Sequence, residues 1–336
     1  MEWKKSYSAH WRIYKVNTKT WADGDKVYNI DSVQISRTAD GKMLESGSME
    51  LTGDFEQGYY RIAMTAIQGD VVERIDVATL LFNETGGTYD YGTAFRSVDG
   101  SSVLYPASTA AVVIGEYAPA GVDGAQYAGN LLSSYINAPV EVEGSFILND
   151  HVVHELGSAV IEAVWAVLDA GDFTIQIDGR GVVHIKPRPT EPALVLNSSQ
   201  IRLLQNETSY TSDSSEIPNR YIVLVDNAIT IASNEDENSP VSIPTRGYYV
   251  DLVDTSPTPI NGETYGMYAN RMLHKLSILR EEVSYSREYA PDVYISDIIR
   301  ASINGMTGDY RIKSQTVNCG NGVTISETAY KETSLW

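Results

Sequence analysis

The fold of this chain is decided by residues 149–189, which read NDHVVHELGSAVIEAVWAVLDAGDFTIQIDGRGVVHIKPRP. Asn149 or Asp150 can cap the start of a helix, and Gly171 can end it. Between them, apolar residues recur with the 3.6-residue period of one helix face. These residues are Val153, Leu156, Val160, Val164 and Leu168. The pattern predicts an amphipathic helix that begins at the Asn-Asp pair and stops before the glycine.

A β-hairpin is predicted directly after this helix. Asp178-Gly179 is a two-residue turn signal, and Pro187 and Pro189 close the unit. Apolar residues alternate with polar ones on both sides of the turn. They are Phe173, Ile175 and Ile177 before it, and Val183 and Ile185 after it. The sequence therefore predicts a helix-hairpin module that carries no recognisable chemistry.

The composition is that of a folded protein of two or three domains, with 336 residues of which 43% are hydrophobic. No run of about 18 apolar residues occurs, so we expect no membrane anchor. Residues 1–6 carry charges but no apolar signal-peptide core, and Cys319 is the only cysteine. A single cysteine excludes an intrachain disulfide and a cysteine-based zinc cluster. We therefore expect synthesis in a reducing cytoplasm.

The net charge of −19 is distributed unevenly. Residues 97–179 contain 11 acidic residues and no Lys or Arg, whereas residues 1–96 contain 14 acidic and 11 basic residues. Residues 197–336 contain 18 acidic and 11 basic residues. Stable nucleic-acid binding needs Lys and Arg on the phosphates, so the basic-free span argues against this function. Solubility through net charge is an alternative explanation that the sequence leaves open.

Strand and helix signals divide the chain into three regions. Residues 1–103 show short alternating apolar runs separated by turn pairs, the pattern of a β-sandwich or barrel. Residues 104–196 are predicted to be α+β, with a helix from Asp123 to Ile136 and the helix-hairpin module. Residues 197–336 are predicted to hold a well-buried strand at Tyr221–Val225, followed by a helix and closing strands.

The helix of the third region is predicted from Glu263 to Glu282, with Asn261 near its cap. Its buried stripe comprises Tyr268, Met272, Leu276 and Leu279. The closing strands are predicted at 293–295, 310–312 and 323–325. The third region is therefore mostly β, with one long helix.

The histidines of the central region invite a metal-site interpretation. A zincin helix needs histidines at i and i+4 with a glutamate between them, so that both rings meet one ion. Here His151 and His154 are at i and i+3, Glu155 lies outside the pair, and only the hairpin residue His184 offers a further ring. The spacing predicts no metal site.

Other motifs are equally weak. The acidic stretch Asn234–Asn238 lacks the ligand spacing of a calcium loop, and Asp23–Asp25 is first a turn. Glu45–Ser48 lacks the first glycine of a nucleophile elbow. We therefore assign no catalytic, cofactor-binding or metal-binding residue. A hydrolase using dispersed carboxylates stays open as an alternative, and the 22 tyrosines keep a carbohydrate-binding module open as a second one.

The order of the pieces along nearly the whole chain resembles the baseplate and tail-tip hub proteins of tailed bacteriophages, the tail-hub family. Each piece alone is weakly specific, and the arrangement carries the resemblance. The pieces are Trp11–Tyr14, Leu44–Leu51, Asp178–Pro187, Ile217–Leu224 and the helix near 263–282.

The resemblance implies an α+β protein with two tail-tube-like β-barrel domains and a smaller inserted α+β domain. On this basis the barrels are expected at 1–103 and 197–336, and the inserted domain at 104–196. The resemblance further implies a non-enzymatic structural protein of the virion, a homotrimeric hub of the tail tip or baseplate that is made in the host cytoplasm. A fused wall-cleaving domain, which some hubs carry, is not expected here.

The expected partners follow from the same resemblance. They are a second and third copy of the chain, a distal tail or tail tube protein, the tape measure protein, and tip, fibre or receptor-binding proteins. DNA is expected only to pass transiently through the ring. Three copies would carry three times −19 charges, and an acidic wall would keep nearby DNA sliding, because screening extends about 8 Å at physiological salt.

Overall fold

A computed structural model describes residues 2, 5–90, 92–113, 117–196, 209–225, 228–257, 259, 263–303, 305–320 and 322–336, apart from the side chains of residues 84, 85 and 303. The chain forms two compact units. Unit 1 comprises Met1–Thr208 and Ser284–Ala329, and unit 2 comprises Ser209–Val283 and Tyr330–Trp336.

The first part of unit 1 is an antiparallel sheet, as its alternating apolar pattern predicts. Its strands are β1 (Ser8–Val16), β2 (Asp23–Val27), β3 (Ile30–Thr38), β4 (Glu45–Thr52), β5 (Gly58–Gln68), β6 (Val71–Asp90) and β7 (Thr93–Ser101). They are ordered β3-β4-β7-β6-β5-β1-β2. Alternate side chains such as Ile35, Ile62 and Leu80 are fully buried in one core.

The second part of unit 1 mixes helices with short strands. Its elements are α1 (Tyr105–Thr109), β8 (Tyr117–Ala118), α2 (Gly124–Ser133), β9 (Val140–Val142), β10 (Val152–Val153), α3 (Val160–Asp169), β11 (Phe173–Ile177), β12 (Val183–Pro187) and β13 (Pro192–Leu196). The predicted helix at Asp123 is confirmed, and the Asp123 carboxylate accepts hydrogen bonds from the backbone N–H groups of Ala125 and Gln126.

The prediction of the helix-hairpin module is confirmed for its second half, whereas the predicted start of its helix is wrong. The helix begins at Val160, ten residues later than predicted, because Val152–Val153 pair with β8 and Gly157 adopts φ +84°, outside the right-handed helical region. Val153 and Leu156, predicted to face the core, are 70% and 67% exposed. The hairpin β11–β12 is confirmed, with Ile177 opposite Val183, but a five-residue loop, Asp178–Val182, connects its strands in place of the predicted two-residue turn.

Unit 2 contains a small sheet with its own core. Its elements are β14 (Ser209–Ser212), β15 (Arg220–Val225), β16 (Ala228–Ser233), α4 (Ile243–Arg246), β17 (Asp251–Asp254) and α5 (Tyr265–Leu276). β15 lies between β16 and β17, and Tyr221 and Val223 pack with Tyr268 and Leu273 of α5. The predicted strand at Tyr221–Val225 is confirmed, although its alternate residues are only partly buried.

The predicted long helix is shorter than expected. The Thr264 hydroxyl caps α5 by accepting a hydrogen bond from Met267 N–H, and the predicted cap Asn261 lies outside the described residues. The helix ends at Leu276, and Leu279 lies in a strand instead. The residues that follow form strand β18 (Ile278–Glu288), and from Glu282 to Glu288 their burial alternates with the period of a strand.

The remaining strands complete the large sheet, to which β13 and β14 also belong. They are β18 (Ile278–Glu288), β19 (Ile298–Ile303), β20 (Met306–Cys319) and β21 (Val323–Ser334). The predicted strands at 310–312 and 323–325 are confirmed, whereas 293–295 precedes β19 as coil and turn. β20 pairs with β3, so strands of the first and last predicted regions belong to one 13-stranded sheet.

The strand pairings of this sheet can be compared with the two barrels that the resemblance implies. The β-rich character is confirmed, and Val317 and Ile325 share the core of the first seven strands. Among the described residues, the strand pairings end at β2, β13 and β14 and do not close into a barrel. The two separate barrels and the domain boundaries at 103/104 and 196/197 therefore stay predictions.

Candidate functional site

The histidines of the central region do not form a metal centre. His151 is exposed before β10, and His154 is buried beside the Tyr127 ring, 6.3 Å away between ring centroids. His184 lies on β12, where its Nδ1 is 3.0 Å from Glu143 and its Nε2 is 3.5 Å from Asp178. No three metal-ligating side chains converge within the described part of the chain.

The acidic loop after β16 satisfies its own polar groups. The Asp236 carboxylate accepts from the backbone N–H and side-chain amide of Asn238, at 2.9 and 3.0 Å. Buried Asn234 donates to Ser239 and accepts from Asp236 N–H. The loop is therefore a set of Asx turns with exposed carboxylates, as the spacing predicts.

Asp23 and Cys319 have structural surroundings. The Asp23 carboxylate pairs with Arg61 at 2.7 Å and with Arg74 at 2.5 Å, which neutralises it. Burial raises the pKa of the Cys319 thiol to about 12, so that the thiol stays protonated at neutral pH. A protonated, enclosed thiol is a poor nucleophile.

An open cleft of 420 Å³ in unit 1 is lined by several carboxylates. Those of Asp76, Glu143 and Asp178 lie within ion-pair range of Arg74 or His184. The cleft is the place where a hydrolase with dispersed carboxylates would act. These contacts also suit a purely structural surface.

Two carboxyl groups have a pKa that burial raises, and both are enclosed. Glu45 is fully surrounded and pairs with Arg37, with 2.6 Å between Oε1 and Nε. Asp297 accepts hydrogen bonds from the Gln176 amide and from Tyr294 N–H. Neither side chain is more than 5% exposed, so neither presents an acid to a bound substrate.

A buried polar network lies inside unit 1, and no sequence pattern predicted it. Arg287 and Glu327, both wholly buried, form two parallel hydrogen bonds of 2.7 and 2.6 Å. Gln315 donates to Glu327 at 2.7 Å and accepts from Arg37 at 3.5 Å, which joins this pair to the Arg37–Glu45 pair. Charged residues at alternating strand positions look like solvent-facing ones in a sequence.

The exposed aromatic residues do not form one platform. Tyr248 and Tyr249 are 52% and 59% exposed, and the guanidinium groups of Arg246 and Arg220 lie over their rings. Further exposed tyrosines are distributed over both units, among them Tyr28, Tyr89 and Tyr117. The described surface thus lacks the clustered rings that a carbohydrate-binding module needs.

The basic-free span forms an acidic surface. Eight of its carboxylates are exposed: Asp99, Glu141, Glu143, Asp150, Glu155, Glu162, Asp169 and Asp172. Only a few cations from outside the span approach them. Lys42 pairs with Glu162, and Arg188 pairs with Asp169 and Asp172. This surface is suited to a contact with a basic partner or to the repulsion of nucleic acid.

The fold of this chain is similar to that of phage tail proteins of known structure. The chain is similar over 96% of its length to the 43 kDa tail protein of prophage MuSo2 from Shewanella oneidensis, covering 96% of that chain, with a TM-score of 0.64 and 13% identity. It is also similar to the tail protein from Neisseria meningitidis MC58, with a TM-score of 0.62, 9% identity, and 99% and 98% coverage.

A third similar structure comes from a Francisella PdpA–VgrG complex. There the TM-score is 0.57 and the identity 7%, over 97% of this chain and 58% of the other. No protein-family profile matches the sequence, and no curated protein does. The resemblance predicted from the sequence is confirmed as a shared fold.

The described helices contain no segment long and apolar enough to cross a membrane.

Proposed function

We propose that this protein is a non-enzymatic structural component of a phage tail tip or baseplate, or of a phage-tail-like particle. The observation that carries the proposal is the match of the fold over nearly the full length of two phage tail proteins. The sites are compatible with this proposal, since Asp23, Glu45 and Asp297 form ion pairs or hydrogen bonds and the Cys319 thiol is buried.

We further propose that three copies form a ring that joins the tail tube to tip, fibre or receptor-binding proteins. The distal tail or tail tube protein and the tape measure protein would contact the ring from above. The acidic span supports transient DNA passage, because unpaired carboxylates near the lumen would repel phosphates and prevent stalling.

The first test determines where the protein lies in the particle. Particles purified from the strain that encodes the chain are labelled with an antibody against it and viewed by electron microscopy. Label at the tail tip supports the proposal, and label that never accompanies tails contradicts it. A strain lacking the gene provides the control, and it should yield tailless particles or tails without tips.

The second test distinguishes the hydrolase alternative. Purified protein is incubated with peptidoglycan and with soluble glycans, and released reducing ends are measured. The structural role predicts the same signal for wild type and for an Asp178→Asn/Glu143→Gln variant. A wild-type activity that this variant loses would favour catalysis in the 420 Å³ cleft.

A further inference from the structure

One edge of the unit 1 sheet is left open at β1. On one side, Ser8–Lys15 pair with β5 throughout. On the other side, β2 pairs only with Ile13, Tyr14 and Val16. The outer backbone groups of Ser8–Arg12 therefore have no strand partner among the described residues. Such an edge is a template for an added strand.

Room for a strand exists along this edge. A groove of 610 Å³ is lined by Tyr7–Trp11 on one side and by Gly320, Gly322, Val323, Thr324 and Glu288 on the other. Side chains alone bridge it, since the Trp11 indole N–H donates to Gly320 C=O and the Tyr7 hydroxyl donates to Tyr289 C=O, both at 2.8 Å. Gly320 and Gly322 leave open space where a Cβ would stand.

The rim of the edge is basic in an acidic protein. The first 30 residues hold six Lys and Arg against three Asp and Glu, whereas the rest holds 19 against 41. Arg12 is exposed, and Lys26 lies with its ammonium 4.6 Å from the centroid of the Tyr28 ring. Neither cation has an ion-pair partner among the described residues. His10, Arg12, Lys26 and Tyr28 also line a second groove of 350 Å³.

We infer that the open edge of β1, Ser8–Arg12, is the site where an acidic segment of a second copy of this chain adds to the sheet. The inference rests on the proposed ring. The charge pattern favours a second copy as the occupant, since the net charge outside the first 30 residues is −22. A contact between a basic edge and a different, acidic surface is heterologous, and such contacts form a ring when the rotation between neighbouring copies closes.

The test reverses the charge of the rim. The variant Arg12→Glu/Lys26→Glu and the control Lys42→Glu/Lys275→Glu change the net charge equally, and all four positions lie on the surface or near it. Oligomeric mass is measured by light scattering over a range of concentration and salt. We expect wild type and control to form trimers of 36.9 kDa subunits. The rim variant should dissociate at a concentration at least about tenfold higher.

A second readout reports on the edge itself. Amide hydrogen exchange at residues 8–12 should be slow in the assembled wild type and fast in the rim variant, with circular dichroism confirming that both are folded. Equal dissociation of rim variant and control, or a trimer whose amides at 8–12 still exchange fast, overturns the inference and leaves the proposed tail function standing. A wild type that stays monomeric also overturns it, whereas the tail function is judged separately by the location of the protein in particles.

Discussion

At the scale of single residues, the core of unit 1 contains ion pairs that the composition of the chain does not reveal. Arg287 and Glu327 are both completely buried, and their geometry is bidentate. A buried pair adds little net stability compared with an apolar pair, but breaking it leaves one uncompensated charge in a medium of low polarity.

We therefore predict that Glu327→Gln lowers the free energy of unfolding by about 3–5 kcal/mol. The matched control is Asp309→Asn, which breaks the Arg300–Asp309 pair, equally bidentate but exposed. That change should cost no more than about 1 kcal/mol. Urea denaturation followed by fluorescence and circular dichroism measures both. Equal effects for the two variants would contradict the role assigned to burial.

The buried carboxyl group of Asp297 should make the free energy of unfolding depend on pH. Burial raises the pKa of this carboxyl group in the folded protein above its value in the unfolded chain. Its protonated form is therefore favoured by folding, and its contribution is present at acidic pH and lost as pH rises through the folded pKa. We expect wild type to lose stability relative to Asp297→Asn as the pH rises above about 4, the ordinary pKa of an aspartate. Denaturation midpoints across this range, compared for the two proteins, check it, and a constant difference would refute it.

At the scale of elements, the loop Asp178–Val182 connects the hairpin to strands that lie far away in the sequence. The carbonyl of Arg180 accepts hydrogen bonds from the Trp21 indole at 2.8 Å and from Arg61 at 3.0 Å, and Gly179 C=O accepts one from Thr79. The loop thus fixes the β11–β12 hairpin to the N-terminal strands. Its glycines are required by contact as well as by turn geometry.

Gly179→Ala is expected to be among the most damaging substitutions in the loop. A Cβ there would lie 1.7 Å from the carbonyl oxygen of Asp76, which belongs to a paired strand and cannot move away freely. We expect a loss of at least about 2 kcal/mol in unfolding free energy, comparable to overpacking in a core. Gly86→Ala is the control, because nothing lies within 4 Å of its Cβ position. A control as destabilised as Gly179→Ala would show that the contact is not the cause.

The elements also show how far sequence patterns reach. Local alternation and caps predicted β11, β12, α2 and parts of β20 and β21, because these depend on neighbouring residues. The start of α3 was missed, since Val152–Val153 pair with a strand some 35 residues earlier. Leu279 fits both a helix stripe and a strand, and tertiary pairing decided between them.

At the scale of the whole molecule, the pairing of β3 with β20 could not be predicted. It joins residues almost 300 positions apart, and no local signal specifies it. The buried network depends on the same union, because Arg37 and Gln315 come from these two strands. For the same reason, the sequence could not predict which edges the sheet leaves open.

The acidic span gives the prediction that belongs to the assembled particle. Glu141, Glu143, Asp150 and Glu155 are exposed and lie in a segment free of Lys and Arg. Replacing all four by Lys would place phosphate-binding groups beside passing DNA if the span lines the channel, and should slow DNA release from particles by at least about tenfold. Replacing them by Gln and Asn removes the same carboxylates without creating phosphate ligands, so this control should release DNA nearly as fast as wild type.

Tail numbers counted by electron microscopy confirm assembly, and the time course of DNA release after triggering is followed with an intercalating dye at two salt concentrations. The delay caused by Lys should shrink at higher salt, because counterions compete for the phosphates. Normal release from fully assembled Lys particles would place the acidic span away from the DNA path.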